Sequence, residues 1–225
     1  MKNTARISVL VTVLAVFIGL PMLLYVLGDA PRRSLLKETI SVLTLLSFSL
    51  MLGQFFLARS NEVLLELFRP RQIQKVHKVI AYGAAGVLLV HPFLIVLPRY
   101  FEAGVRPWDA LVTMLTTFDS LGVLLGLAAW GLMVVVLITS IFRIALIKRF
   151  AIRYRHWRYF HSGLTVAFIA IALWHAIELG RHTGTAMATF LITLAVMGIL
   201  MLARLYWAKN PESPQTISVS EGAKS

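Results

Sequence analysis

The 225-residue chain contains no cysteine. Disulfides, thiolate-ligated iron–sulfur clusters and thioether-attached c-type haem all need thiols, so none of them is available. Charge is scarce too, at 14% of residues against 58% hydrophobic ones, and mean hydropathy is +0.79. That balance excludes an ordinary water-soluble domain. Acidic residues number only ten, and none falls inside a long apolar run. Without an intramembrane carboxylate chain, a proton pump or ion-coupled transporter has little to work with.

What the chain does have is long apolar runs. Six are close to the ~20 residues that cross a bilayer as a helix: Ile7–Gly28, Thr39–Leu57, Val79–Pro98, Ser120–Phe142, Tyr159–Ile177 and Thr183–Ala203. The first follows a short basic start (Lys2, Arg6), as a signal peptide would, but its length and the lack of a small-x-small cleavage site favour a retained helix. The expected fold is therefore an all-α membrane protein, a six-transmembrane-helix bundle over residues 1–207. A polar, disordered tail is expected at 208–225. Asn61–Pro70 reads as a short interfacial helix or a plain loop.

The cations set the orientation. Sixteen fall on one side: Lys2, Arg6, Arg59, Arg69, Arg71, Lys75, Lys78, Arg143, Lys148, Arg149, Arg153, Arg155, Arg158, Arg204, Lys209 and Lys224. Six fall on the other (Arg32, Arg33, Lys37, Arg99, Arg106, Arg181), balanced there by Asp29, Glu38, Glu102, Asp109, Asp119 and Glu178. The whole excess of +12 lies on one face, which places both termini in the cytoplasm and makes nucleic acid an unnecessary partner. The reading is an integral, multi-pass protein of a bacterial cytoplasmic (inner) membrane, with the lipid bilayer as its surroundings. Tyr100, Trp108, Tyr154, Trp157, Tyr159, Tyr206 and Trp207 sit where interfacial aromatics belong.

Two of the apolar runs carry histidines with one spacing. His77 and His91 are fourteen residues apart in the third, and His161 and His175 fourteen apart in the fifth. Fourteen helical steps leave two imidazoles about 40° apart around the axis and roughly 21 Å apart along it. Third and fifth spans run in the same direction, so depth pairs His77 with His161 and His91 with His175. Two such helices side by side have the geometry to hold two b haems, each iron gripped by one imidazole from either helix. A shared zinc site is excluded by the same distance, because zinc bonds are ~2 Å.

Phe168 is seven residues from both His161 and His175, hence on their face and midway between the two levels. It is expected to fill the space between the cofactors, with ordinary core packing as the plainer use. Gly83, Ala84, Ala85 and Gly86 form a small-residue stretch that would admit a flat macrocycle or a close helix. Pro92 is placed to kink its helix beside His91. Arg69, Arg71, Lys75, Arg153, Arg155 and Arg158 are candidates for the inner propionates. His156 lies about 140° from His161 and cannot share its face. His182 and Arg181 fall in a short outer loop, expected to be solvated, and otherwise able to bind an acceptor or a propionate.

At these residues the chain resembles the ferric reductase-like transmembrane domain family, which includes the membrane halves of NADPH oxidases and ferric-chelate reductases. The matching segments are RQIQKVHKVIAYGAAGVLLVHP and YRHWRYFHSGLTVAFIAIALWHA, with the His-x13-His pairs on His77/His91 and His161/His175. The resemblance spans roughly residues 40–205. It implies an oxidoreductase component that passes electrons from a cytoplasmic donor to an outer acceptor, such as ferric chelate, oxygen or a periplasmic redox protein. Many members continue into a module that binds FAD and NAD(P)H. Eighteen residues follow Trp207 here, with no Gly-rich phosphate loop, so the flavin is expected from a separate cytoplasmic flavoprotein reductase. In organisation the chain is similar to the haem subunit that serves a periplasmic methionine-sulfoxide reductase. A quinol-linked cytochrome b subunit of a larger complex and a non-redox membrane protein stay open as alternatives.

Overall fold

In the computed structural model the described residues are 2–58, 61–116, 118 and 120–207, and their regular structure is all helical, with no strand among them. Arg59, Asp119, the tail from 208 with Lys209 and Lys224, and the side chain of Trp207 lie outside the described residues. Six helices are long and apolar enough to cross a membrane.

The first span, Lys2–Leu27, consists of α1 (Lys2–Leu14), a π turn (Ala15–Gly19) and α2 (Leu20–Leu27). Its irregularity has an identifiable cause. Pro21 has no N–H to give the carbonyl four residues earlier, that of Phe17. The Ser49 hydroxyl donates to Phe17 O instead, at 2.9 Å, from a fully buried position in α3 (Leu35–Gly53), the second span. The freed carbonyl thus becomes a joint between spans.

Asn61 caps α4 (Glu62–Leu67) by accepting from the Leu64 N–H at 3.3 Å, so NEVLLELFRP does form a short helix. Arg6 Nε donates to Leu67 O at 2.8 Å and ties it to the start of the chain. The third span, α5, runs Pro70–Ala103. Its 34 residues make about 51 Å of helix, well beyond a ~30 Å hydrocarbon core. Pro70 opens it at the first turn, where a missing N–H costs nothing. The helix continues through Pro92 and Pro98. It ends where Gly104 takes a left-handed φ of +64°, and Val105 N–H closes on Arg99 O at 3.2 Å.

α6 (Pro107–Thr116) has no counterpart among the six apolar runs; it lays Ala110 and Leu111 against Val96 of α5. The fourth span is α7 (Leu121–Ile141), followed by the short basic α8 (Arg143–Arg149). The fifth is α9 (Tyr154–Leu179) and the sixth α10 (Thr185–Trp207).

Packing closes the last five spans into a ring. α3 lies along α5, α5 touches α7, α7 lies along α9, α9 touches α10, and α10 returns to α3, with the first span outside against α3. The extensive interfaces are α3 with α5 and α7 with α9; no comparable contact joins α5 to α9. The side-by-side arrangement expected for the two histidine helices is therefore corrected: they face each other across the ring. One core cluster fills its middle level, drawing on Leu52, Ala84, Met133, Phe168, Ile169 and Leu191. The outer surface is apolar, with Leu10, Val79, Ile138 and Leu200 among the exposed side chains, as lipid contact requires.

Candidate functional site: two histidine pairs facing across the ring

His77 and His91 project from α5, and His161 and His175 from α9; all four are half-buried. His91 lies within electrostatic reach of His175, and His161 within reach of His77. The structure thus brings the four together as two pairs at two levels.

Each ring is oriented by an oxygen on a neighbouring helix, except that of His77. His175 Nδ1 is 2.7 Å from Gly122 O. A carbonyl only accepts, so Nδ1 carries the proton. The Thr44 hydroxyl donates to Ile40 O at 2.8 Å, which leaves its lone pairs to accept from His91 Nδ1 at 3.1 Å. Ser140 is arranged alike, donating to Val136 O at 2.6 Å and lying 3.4 Å from His161 Nδ1. Three imidazoles are therefore held through Nδ1–H, which leaves Nε2 as the nitrogen turned to other use. That is how proteins set up a histidine to ligate a metal: one ring nitrogen donates to an oxygen, which fixes orientation and raises the basicity of the other. Gly126 completes the seat of His175. A Cβ there would come within 2.7 Å of the ring's Cε1.

Midway between the levels, Phe168 is 3% and Ala84 4% exposed, both inside the core cluster. Each is seven residues from both histidines of its own helix, so a large ring and a methyl group meet the same level from opposite helices. Trp130 Nε1 donates to Leu89 O at 2.9 Å, fastening α7 to α5.

At the basic end the rings of Tyr154, Trp157 and His161 form a ladder. The first two are stacked with centroids 6.0 Å apart and the last two 5.0 Å apart, at interplanar angles of 14° and 13°. The Arg143 guanidinium lies over Trp157 at 5.5 Å and over Tyr154 at 6.0 Å. Trp157 is 9% exposed, so it is not the interfacial aromatic expected of it, and its Nε1–H has no acceptor among the described residues. Leaving such a donor buried costs about 1–3 kcal/mol. Arg143 was not among the expected propionate partners. Of those that were, Arg155 donates to the Tyr159 hydroxyl and Arg158 lies over the Tyr206 ring.

At the opposite end His182 is not solvated: its side chain is 8% exposed. Its ring packs 4.6 Å from that of Tyr25, and its Nε2 is 3.3 Å from Glu38 Oε2. Tyr25 donates to Glu38, and Arg32 and Arg33 complete the cluster at 3.6 and 3.3 Å. Burial pushes the His182 imidazole below its usual range, and the Glu38 carboxylate partly opposes this. Arg181 remains exposed and donates to Pro31 O at 3.2 Å. Nothing in the sequence around His182 signals this, because its partners come from α2, the start of α3 and the loop between them.

Among the described residues no three His, Cys, Asp or Glu side chains converge on a common metal position; each level offers two imidazoles. A macrocycle that already supplies four nitrogens to its iron needs two more ligands and no third side chain. The two-nitrogen donor set, the Nδ1 contacts, the lack of close packing between α5 and α9 and the orphaned donor of Trp157 all suit such a group.

Comparison with known proteins places the chain in a family. The family described as ferric reductase like transmembrane component matches residues 43–172, a stretch that contains His77, His91, Phe168 and His161 and stops just short of His175. An uncharacterized protein of Archaeoglobus fulgidus is 39% identical over 164 residues, which cover 73% of this chain and 87% of that protein. No solved structure matches. Spans, histidine levels and a match over more than half of its length lead to one assignment: the chain is an integral membrane protein of the ferric reductase-like transmembrane family.

Proposed function

We propose that this protein conducts electrons across the membrane through two b haems, one held by His77 and His161 and the other by His91 and His175. The family's link to transmembrane electron transfer gives the direction of the reading. The observation that carries it is the hydrogen bonding of three Nδ1 atoms to Gly122 O, Thr44 and Ser140, which orients three imidazoles with Nε2 as the nitrogen left to ligate. Iron protoporphyrin, when bound, supplies the one-electron couple that the polypeptide lacks.

The residues do the rest. Four imidazoles set the two levels, α3 and α7 hold the rings, and Phe168 with Ala84 fills the space between the levels. His91 and His175 would both ligate the iron of the outer-level haem, which would deny an outer acceptor direct access to that iron. Ferric chelate, oxygen and a periplasmic redox protein are the acceptor classes consistent with that constraint. The donor is a reduced flavin on a cytoplasmic protein. Arg153, Arg155 and Arg158, close to His161 in sequence, would steer an acidic docking face. The membrane is a bacterial cytoplasmic membrane with the basic face inward.

The test is a reduced-minus-oxidised spectrum of the purified chain with haem counted per polypeptide. Two b haems are expected. His77→Ala and His161→Ala should remove the same one, and His91→Ala and His175→Ala the other. A colourless chain made in haem-replete cells would overturn the proposal.

A further inference from the structure

Trp157, Tyr154 and His161 share one face of α9. Trp157 precedes His161 by four residues, about 6 Å nearer the basic end of the helix and 40° around it. The indole is more than nine-tenths buried, yet its Nε1–H finds no acceptor among the described residues. Stacking at 5.0 Å fixes its plane beside the His161 ring, so the N–H cannot swing away without breaking the ladder. Arg143 arrives from α8, on the other side of the stack. Its guanidinium sits 5.5 Å from the centre of the Trp157 ring and within electrostatic reach of His161. None of the described salt bridges includes it.

A buried neutral donor and an unneutralised guanidinium at one end of a ligand ring ask for a single compact anion that accepts hydrogen bonds. A porphyrin anchored through His161 brings such a group with it, since its propionates project from one edge of the macrocycle. We infer that Trp157 and Arg143 form a carboxylate subsite for a propionate of the haem held by His161, and so orient that haem about its iron–imidazole axis. The inference rests on the two-haem reading above. Trp157 and Arg143 are positioning residues: neither touches the iron, and each acts through the carboxylate. The headgroup of a net-anionic phospholipid at the basic interface has similar chemistry and is the competing source of the anion.

The experiment uses the full chain with both haems bound, in nanodiscs of phosphatidylcholine alone and with phosphatidylglycerol added. Trp157→Phe keeps the ring and its stacking but loses the donor; Arg143→Gln keeps the length but loses the charge. Both should lower the midpoint potential of the His77–His161 haem and leave the His91–His175 haem where it was, equally in both lipids. Because one carboxylate serves both, the double variant should shift by less than the two single shifts added. Reconstitution with iron protoporphyrin dimethyl ester should weaken retention at that level most in the parent chain, less in Trp157→Phe and in Arg143→Gln, and least in the double variant. Unchanged potentials with both haems still bound would refute the subsite and leave the two-haem reading intact. A shift confined to the anionic nanodiscs would assign the anion to lipid and equally refute it. A parent chain without pigment would instead defeat the reading beneath it.

Discussion

Gly126→Ala gives the sharpest test of how the ligand rings are held. The added Cβ would sit 2.7 Å from His175 Cε1 and 2.8 Å from its Nδ1. Carbon atoms rest at about 3.5–4.0 Å, so the ring must retreat by roughly 1 Å, judged against that spacing. Its bond to Gly122 O is 2.7 Å long. A retreat of that size takes Nδ1 beyond hydrogen-bonding distance. The lost bond is worth about 1–1.5 kcal/mol net, and loss of an oxygen partner behind a metal-ligating histidine costs about 10–100-fold in metal affinity. The two estimates agree at the lower end, since 1.4 kcal/mol is a factor of about ten. Haem counted per chain should fall from two towards one on washing or dilution, and the haem lost should be the one that His91→Ala removes. Gly131→Ala on the same helix is the control, because a Cβ there would meet no heavy atom within 4 Å. If Gly126→Ala keeps both haems with unaltered potentials, the seat built by α7 is not what orients His175, and the tautomer argument for that ring fails.

Three further outcomes follow from the same contacts. Thr44→Val removes the acceptor for His91 Nδ1 and should weaken retention of the outer-level haem by about 10–100-fold, measured by titrating haem into chain prepared without it. Ser49→Ala leaves Phe17 O without its donor beside Pro21; stability in detergent should fall by about 1–3 kcal/mol, read as a lower unfolding midpoint with haem content per folded chain unchanged. Burial lowers the His182 imidazole below its unfolded value of about 6.5, with Glu38 opposing and Arg33, Arg32 and Arg181 adding to the shift. The unfolded chain therefore binds a proton first, so stability should decline as pH falls below about 6.5 and level off below the folded value. His182→Gln should flatten that part of the pH profile, and an unchanged slope would remove His182 as its cause.

The six spans and the histidine levels were legible because both depend on local arithmetic: apolar length against bilayer thickness, and fourteen residues against a 3.6-residue turn. Helix ends were less legible. α5 begins at Pro70 rather than Val79, since Arg71, Lys75 and Lys78 extend the helix into water, and hydropathy records the membrane rather than the helix. α6 and α8 escaped for the related reason that neither is long enough to span. The partners of the rings were not legible at all. Thr44, Ser140 and the Gly122 carbonyl come from α3 and α7, and which turn of one span faces which turn of another is not written in either sequence. The burial of His182 depends likewise on the loop after α9 meeting Tyr25 of α2 and Glu38 of α3. Trp157 carried a visible signal, its position four residues before His161 on the same face, which separates it from aromatics that merely mark an interface.

The gap between α5 and α9 is the point on which the site's chemistry turns. Helices packed directly approach to 8–10 Å between axes, with side chains interdigitated; two imidazoles and an iron between them would not fit. The ring of spans resolves this. α3 and α10 on one side and α7 on the other fix the positions of both histidine helices without bringing them together. At the middle level Phe168 and Ala84 belong to one core cluster, so the space is closed where no ligand is needed. At the levels of His77 with His161 and of His91 with His175 the rings remain half-buried and their Nδ1 partners come from flanking helices. Replacing Phe168 by alanine would therefore remove a packed ring from between the two levels. The scaffold spends its tight packing on α3–α5 and α7–α9 and withholds it from α5–α9, which is the arrangement that the proposed pair of flat cofactors requires.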